Sequence, residues 1–394
     1  MAGTWDRDDN STRRETYSDR IVKHRLRILG RVLIIAVILA VALGLIWYQQ
    51  KTRIYTNYFV AETYTRETTG SAVTTNLADK ILTYSNDGAF CSNTDGTSVW
   101  NITYEMQNPI LSTSGSTAAI GNYDGTKIYV CNTEGALGEI STTMPIRDLA
   151  VSENGVVAAV LDDTDITWIY LYNASGETIA YFKTTMSQSG YPFSVSISPN
   201  SRLVAVSYLK ADATDLTSGI AFYNFGDVGQ NEVDNYMSGY DYEDSLVPLV
   251  RFLNSEQAFA VADSRLMFYF GAQKPVSKAE ILLDSEIKSV YYSDSQVAVV
   301  TYDQTGEYTY LLRVYDASGS LKLSKGFDLD YKSILLTDEH IYIYSDAQVI
   351  IYNMMGTETY AGTMSQDISL IIPGKSVSKM TIVGTNAISR IELQ

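Results

Sequence analysis

An all-β chain made of one repeated four-stranded unit is what the sequence predicts, and three observations predict it. The first is a stretch in the middle, residues 169–180 (IYLYNASGETIA), which reads as strand, tight turn, strand. Asn173, Ala174, Ser175 and Gly176 supply the turn chemistry. The second is that this stretch recurs. Its shape returns at residues 128–135, 312–319 and 350–356, in shorter or degenerate form at 221–226 and 266–271, and one residue longer at 89–96. The closing glycines, 96, 135, 176, 226, 271, 319 and 356, are spaced by 39, 41, 50, 45, 48 and 37 residues. The third is composition. Thirty tyrosines, seven prolines and 19% charged residues in 394 suit strands, where tyrosine lays an apolar ring on the sheet and keeps its hydroxyl wet.

A period of about 40–50 residues made only of strands fits one blade of a β-propeller per repeat. One unit can be written out as an inner strand at 146–151, then 156–161, 167–172 and an outer strand at 178–182. The next begins at Pro192. Asp87-Gly88, Asp95-Gly96, Asp124-Gly125 and Asn154-Gly155 mark hairpins. Seven glycine landmarks give seven units. The last piece, residues 368–393, holds three strands and lacks an outer one, which residues 58–65 can supply by joining the two ends of the chain. Closure removes exposed sheet edges, so eight blades is the reading and seven the alternative.

The N-terminal region is different. Residues 1–31 hold eight Lys/Arg and five Asp/Glu, a balance of +3, and residues 1–19 read as a polar, unstructured tail. Arg20, Lys23, Arg25, Arg27 and Arg31 interleave with apolar residues, a pattern that sits against anionic inner-leaflet lipid. Residues 32–48 (VLIIAVILAVALGLIWY), from Val32 to Tyr48, carry no charge. As a helix they span roughly 25 Å at about 1.5 Å per residue, just short of a bilayer core of about 30 Å. Arg31 can snorkel at one end, and Trp47 and Tyr48 suit the interface at the other. The segment therefore reads as a transmembrane signal-anchor across the lipid bilayer. A cleaved signal peptide is the rival, although no small-x-small site follows. Five basic residues before the segment against Lys51 and Arg53 after it place the N-terminus in the cytoplasm and the main domain outside. The expected domains are a cytoplasmic tail (1–31), the anchor (32–48), a connector (49–56) and the propeller (57–394).

Residues 93–100 (NTDGTSVW) resemble the turn and outer strand of quinoprotein-like propeller repeats, and residues 196–207 (SISPNSRLVAVS) resemble a segment of WD40-like bacterial propellers. With Gly190-Tyr191-Pro192 and residues 222–226 (FYNFG) in the middle, the whole layout is similar to a family of unknown function, membrane-anchored propeller proteins of clostridial-type Gram-positive bacteria. The resemblance implies a fold and an envelope location, and it carries over no catalytic residue. Only Trp100 falls at the quinoprotein tryptophan position and Trp168 lies elsewhere, so no cofactor is implied.

The remaining chemistry is sparse. Beyond residue 31 there are 21 basic and 40 acidic residues, and that acidic surface is unsuited to nucleic acid. One histidine, His340, is too few for a His-rich metal site and a thin basis for a nucleophilic triad. Asp162-Asp163-Thr164-Asp165 lacks EF-hand spacing and reads as a solvated hairpin tip. No catalytic set is recognisable, and the chain reads as a non-enzyme. A carboxylate-pair glycosidase stays open, because acids are plentiful and their geometry is invisible in sequence. Cys91 and Cys131 fall on the third strands of neighbouring units and read as buried thiols, a disulfide being the alternative. The contact surface is sought in the insertion at 226–244, read as a loop: Asp227, Glu232, Asp234, Tyr236, Tyr240, Asp241, Tyr242, Glu243 and Asp244, with no Lys or Arg. The expected function is a protein-interaction platform or scaffold of the cell envelope with an envelope protein as partner, and glycan binding or cleavage is the alternative.

Overall fold

The computed structural model describes residues 17–68, 72–163, 166–184, 189–211, 216–243 and 245–394, without the side chains of residues 17–23, 26, 27, 45–47, 50, 51, 211 and 216. Two units, Met1–Arg53 and Ile54–Gln394, separate by their internal contacts.

The described part of the first unit is one helix, Tyr17–Lys51. Residues 17–19, read as part of the tail, are helical, residues 1–16 lie outside the described residues, and the basic segment from Arg20 to Arg31 is helical. Arg25 and Arg31 are exposed, and the side chains of Arg20, Lys23 and Arg27 lie outside the description. From Ile28 to Leu43 the apolar side chains are exposed on every side of the helix, Leu33 and Ile35 at 59% and 58% among them. A helix apolar all round buries nothing by itself. Among the described residues no helix is long and apolar enough to cross a membrane.

The second unit is an eight-bladed β-propeller, each blade a four-stranded antiparallel sheet. Blade 1 is Val73–Leu77, Lys80–Tyr84, Gly88–Ser92 and Ser98–Thr103, and blade 2 is Pro109–Ser114, Thr117–Asn122, Lys127–Asn132 and Ala136–Ser141. Blade 3 is Ile146–Val151, Val157–Asp163, Ile166–Tyr172 and Thr178–Thr184. Blade 4 is Tyr191–Ile197, Leu203–Ala211, Leu216–Asn224 and Tyr236–Glu243. Blade 5 runs from Leu249–Phe252 through Gln257–Ala262 and Arg265–Phe270 to Val276–Leu282, and blade 6 from Ile287–Tyr292 through Gln296–Tyr302 and Tyr310–Asp316 to Leu321–Phe327. Blade 7 is Ser333–Leu336, His340–Tyr344, Gln348–Asn353 and Glu358–Thr363. Blade 8 takes Leu370–Pro373, Lys379–Val383 and Ala387–Leu393 from the C-terminus and its outer strand, Tyr58–Thr65, from the N-terminal side.

That outer strand closes the ring. It pairs with Ala387–Leu393 from Tyr58↔Leu393 to Thr65↔Ala387, with a bulge between Val60 and Glu62. Arg66 follows it and is buried. Its guanidinium donates to Gly384 O of blade 8 (2.9 Å) and to the Thr74 and Thr83 hydroxyls of blade 1 (2.6 Å each). The connector drawn at 49–56 needs correction at both ends. Residues 49–51 belong to the helix, while Tyr55 is buried in the ring with its N–H on Thr359 O (2.8 Å).

The repeat has a physical cause. In the turn after the third strand, an Asn or Asp side chain accepts one or two backbone N–H groups two to four residues on, and a glycine takes positive φ. Asn173 Oδ1 accepts from Glu177 N (2.9 Å) and Gly176 sits at φ 89°. Asp316 with Gly319 and Asn353 with Gly356 do the same. Hence the spacing Asn/Asp-x-x-Gly survives where little else does. The position before that Asn or Asp is a packing position: Tyr172, Tyr223, Tyr315 and Tyr352 are all buried, and so are Cys91 and Cys131 near the corresponding place. Both cysteines are free thiols, and burial pushes them up to about 11 and about 12.

Candidate interaction groove

The 226–244 segment is not a loop. After two single turns, Gly229–Asn231 and Val233–Asn235, it forms the outer strand of blade 4. The strand carries a bulge: Phe222 pairs with Ser238, but Tyr223 pairs with Tyr236, leaving Met237 extra. A bulge reverses which face the following side chains take, and this divides the candidate residues.

Tyr240 and Tyr242 serve the boundary with blade 5. The Tyr240 hydroxyl donates to Pro275 O (3.2 Å) and accepts from Ser277 N (3.0 Å). Tyr242 is buried and its hydroxyl bonds that of Tyr269. Asp227, Glu232 and Glu243 are exposed and apart from these contacts, and Asp244 lies outside the described residues. Asp162, from the acidic hairpin tip, bonds Arg147 Nε at 3.0 Å, while Thr164 and Asp165 are not described.

Asp234, Tyr236 and Asp241 turn the other way. With Tyr240, which borders it as well, they help line a groove of about 820 Å³ between the outer strand of blade 3 and the sheet of blade 4. The blade 3 side brings Trp168, Tyr181, Phe182 and Lys183, and blade 4 brings Tyr208, Lys210 and Tyr223. The rings form two sets, Phe182–Tyr223–Tyr236 and Trp168–Tyr181. Phe182 lies 4.4 Å from Tyr223, Tyr223 lies 6.0 Å edge-on from Tyr236, and Tyr181 lies 5.8 Å from Trp168. Tyr236 (47% exposed) and Tyr181 (60%) are open to solvent. Gly239 lets the Tyr236 ring lie flat on its strand, since a Cβ there would stand 2.3 Å from the hydroxyl. At the floor the Tyr208 and Tyr223 hydroxyls bond each other at 2.8 Å.

The groove is electrically balanced. Lys210 pairs with Asp241 at 2.8 Å, a solvent-facing pair of small energetic weight. Lys183 and Asp234 have no ion-pair partner among the described residues. Burial raises Tyr208 well above the ordinary tyrosine range and Tyr223 to about 12, so the floor is neutral. Unfolded tyrosine ionises near 10. Between pH 10 and 12 the unfolded chain therefore sheds protons that the folded one keeps, and stability falls as pH rises through that window. Urea midpoints are expected to begin falling near pH 9, where the unfolded thiols of Cys91 and Cys131 ionise, and to drop more steeply from pH 10 toward pH 12. The drop should be shallower in Tyr208→Phe/Tyr223→Phe, and an unchanged profile in that variant would contradict the burial of the pair.

Stacking faces and paired hydrogen-bonding groups suit binding. A second cavity, about 480 Å³, lies at one mouth of the central channel and contains Asp148 and Arg251. Both are already used to tie inner strands together. Asp148 accepts from Leu149 N and Val195 N, and Arg251 donates to Ser194 Oγ, Val195 O and Val250 O. Sequence reading missed the blade 3 half of the groove. Its one legible signal was the alternation in Thr178–Thr184, which leaves Ile179 and Tyr181 outward on an outer strand.

A family model described as a family of unknown function (DUF5711) matches residues 50–393. No curated protein matches. Among solved structures, the chain resembles apo AztD from Citrobacter koseri at 11% identity, over 77% of this chain and 86% of that one, with a TM-score of 0.50. BamB from Moraxella catarrhalis is matched at 14% identity over 85% of this chain and 100% of that one, with a TM-score of 0.47. Sqt1 from Saccharomyces cerevisiae is matched at 12% over 87% and 100%, with a TM-score of 0.49. At such identities a likeness speaks to fold alone.

Proposed function

The chain belongs to this family of unknown function, DUF5711, and from that premise we propose that it is a non-enzymatic interaction platform of a bacterial cell envelope, held to the membrane by residues 32–48 with the propeller outside. The observation that carries the platform role is the groove between blades 3 and 4, an open, ring-lined, charge-balanced surface on a closed and therefore rigid scaffold. Rigid scaffolds with tyrosine-rich open surfaces bind with little ordering cost. The anchor is supported by a charge-free run of 17 residues inside a helix whose described apolar side chains, from Ile28 to Leu43, are exposed all round, behind a basic segment suited to anionic lipid.

Tagged full-length chain extracted from native membranes in mild detergent is expected to bring down one reproducible membrane or wall protein. Asp234→Lys/Tyr236→Ala should reduce its recovery about tenfold, as loss of interface anchors does. Recovery of no partner in several detergents, or equal recovery by the variant, would contradict the platform role. A chain that washes off membranes in alkaline carbonate would contradict the anchor. A second reading, binding of an envelope glycan, is favoured by the exposed ring faces of Tyr181 and Tyr236, and retention on purified wall material tests it.

A further inference from the structure

The outer strand of blade 3, Thr178–Thr184, is the last strand of its sheet, so one edge has no strand partner among the described residues. Which residues face out along that edge follows from the ladder. Asn173 N–H donates to Glu177 O at 3.0 Å across the turn that leads into the strand. Backbone groups alternate in direction along a strand. Leu171, Ile169 and Thr167 therefore point the same way as Asn173, toward their partners Ala180, Phe182 and Thr184. Tyr181 and Lys183 are left with N–H and C=O directed out of the sheet. These two residues also line the groove. At the boundary of blades 6 and 7 the corresponding cavity is smaller, about 530 Å³, and the Tyr308 ring packs into it over Gly326, where a Cβ would meet that ring at 2.1 Å. At blade 3 no such ring enters among the described residues, and the groove measures about 820 Å³.

We propose that this groove takes an extended peptide segment of a partner protein, which adds to blade 3 as a fifth strand and turns alternate side chains onto the rings of Tyr223 and Tyr236. This deepens the platform role and rests on it. Two donors and two acceptors spaced by one residue are what an added strand pairs with, and pockets under alternate side chains supply selectivity. Charge narrows the occupant further. Outer strands of successive blades run in the same direction, so Asp234, before the outer strand of blade 4, and Lys183, late in that of blade 3, sit toward opposite ends of the groove. Both lack an ion-pair partner among the described residues, while Asp241 and Lys210 satisfy each other. The fitting segment has apolar or aromatic residues at alternate positions, a Lys or Arg at one end and an Asp or Glu at the other.

The full-length chain in lipid nanodiscs is panned against a phage library of random linear 12-residue peptides. An enriched peptide and, in parallel, chitohexaose are then titrated, with backbone amide exchange followed in the peptide complex. Enrichment of the alternating, basic-ended pattern is expected, with exchange slowed in residues 178–184. Lys183→Pro removes one outward N–H without touching the bonds to the third strand. It should weaken binding about tenfold while Lys183→Ala stays within about threefold, whereas a purely ionic role for Lys183, whose charge both variants remove, would make the two losses equal. Should the proline variant not fold, Asp234→Lys, at an exposed turn, is expected to cost basic-ended peptides about tenfold. The proposal is overturned if peptides bind without slowing exchange in 178–184, if they bind the proline and Asp234 variants as well as the parent, if no peptide is enriched, or if only chitohexaose binds. Peptide binding away from blade 3 would leave the platform role standing. Loss of the copurified partner would remove that role itself.

Discussion

A chain lacking residues 54–66 is expected to lose its folded ring. These residues supply the whole outer strand of blade 8, seven backbone pairs with Ala387–Leu393, the buried Tyr55, and the Gln394–Asn57 contact at the C-terminus. At about 1 kcal/mol net per backbone hydrogen bond, with the packing of Tyr58 and Tyr64 added, the loss is of order 5–10 kcal/mol. That is comparable with the entire net stability of a typical domain. The deletion also bares the edge of Ala387–Leu393, an invitation to pair between molecules. The deleted chain should therefore show no cooperative urea transition and should aggregate. A soluble chain with a midpoint near that of the parent would mean that the ring does not depend on this joint.

Arg66→Ala is expected to destabilise by about 3 kcal/mol, the second-largest effect here and the largest for one side chain. Arg66 is buried without a carboxylate in contact among the described residues, and burial lowers its pKa against the more distant pull of Asp367. Three hydrogen bonds from a charged group to Gly384 O, Thr74 and Thr83 span the seam between the last and first blades. Bonds to charged groups are worth about 1.5–3 kcal/mol each, offset by desolvation of the charge. The two threonine hydroxyls, 3.3 Å apart, can partly satisfy each other when the arginine is gone. Arg66→Met, which fills the space without a charge and removes the unpartnered Nε, should cost about half as much. Urea midpoints at constant m-value measure both. Equal stability of Arg66→Ala and the parent would mean that the seam is held by strand pairing alone.

Much of the ring was legible because its determinants are local. The Asn/Asp-x-x-Gly turn fixes the third and fourth strands of a blade within a few residues, and repetition shows even through weak copies such as 266–271. The closing strand, residues 58–65, was legible by subtraction, since the last unit lacked one. The groove was not legible, because it is made by pairs far apart in sequence, such as Phe182 with Tyr223. Within 226–244 an acidic, tyrosine-rich composition suggested a loop. Only the backbone pairing shows a strand, and only the bulge at Met237 sends Tyr236 to one side while Tyr240 and Tyr242 go to the other. A single extra residue that reverses facing leaves no mark in hydropathy.

Whether the boundary of blades 3 and 4 is where this ring meets its partner is tested most directly by photo-crosslinking in cells. A photoreactive phenylalanine analogue is placed at Tyr236, 47% exposed in the groove, and for comparison at Leu321, 53% exposed on the outer strand of blade 6. One discrete adduct from position 236, absent from position 321 and lost on Asp234→Lys, is the expected result. Adducts of equal yield from both positions, or from position 321 alone, would contradict it.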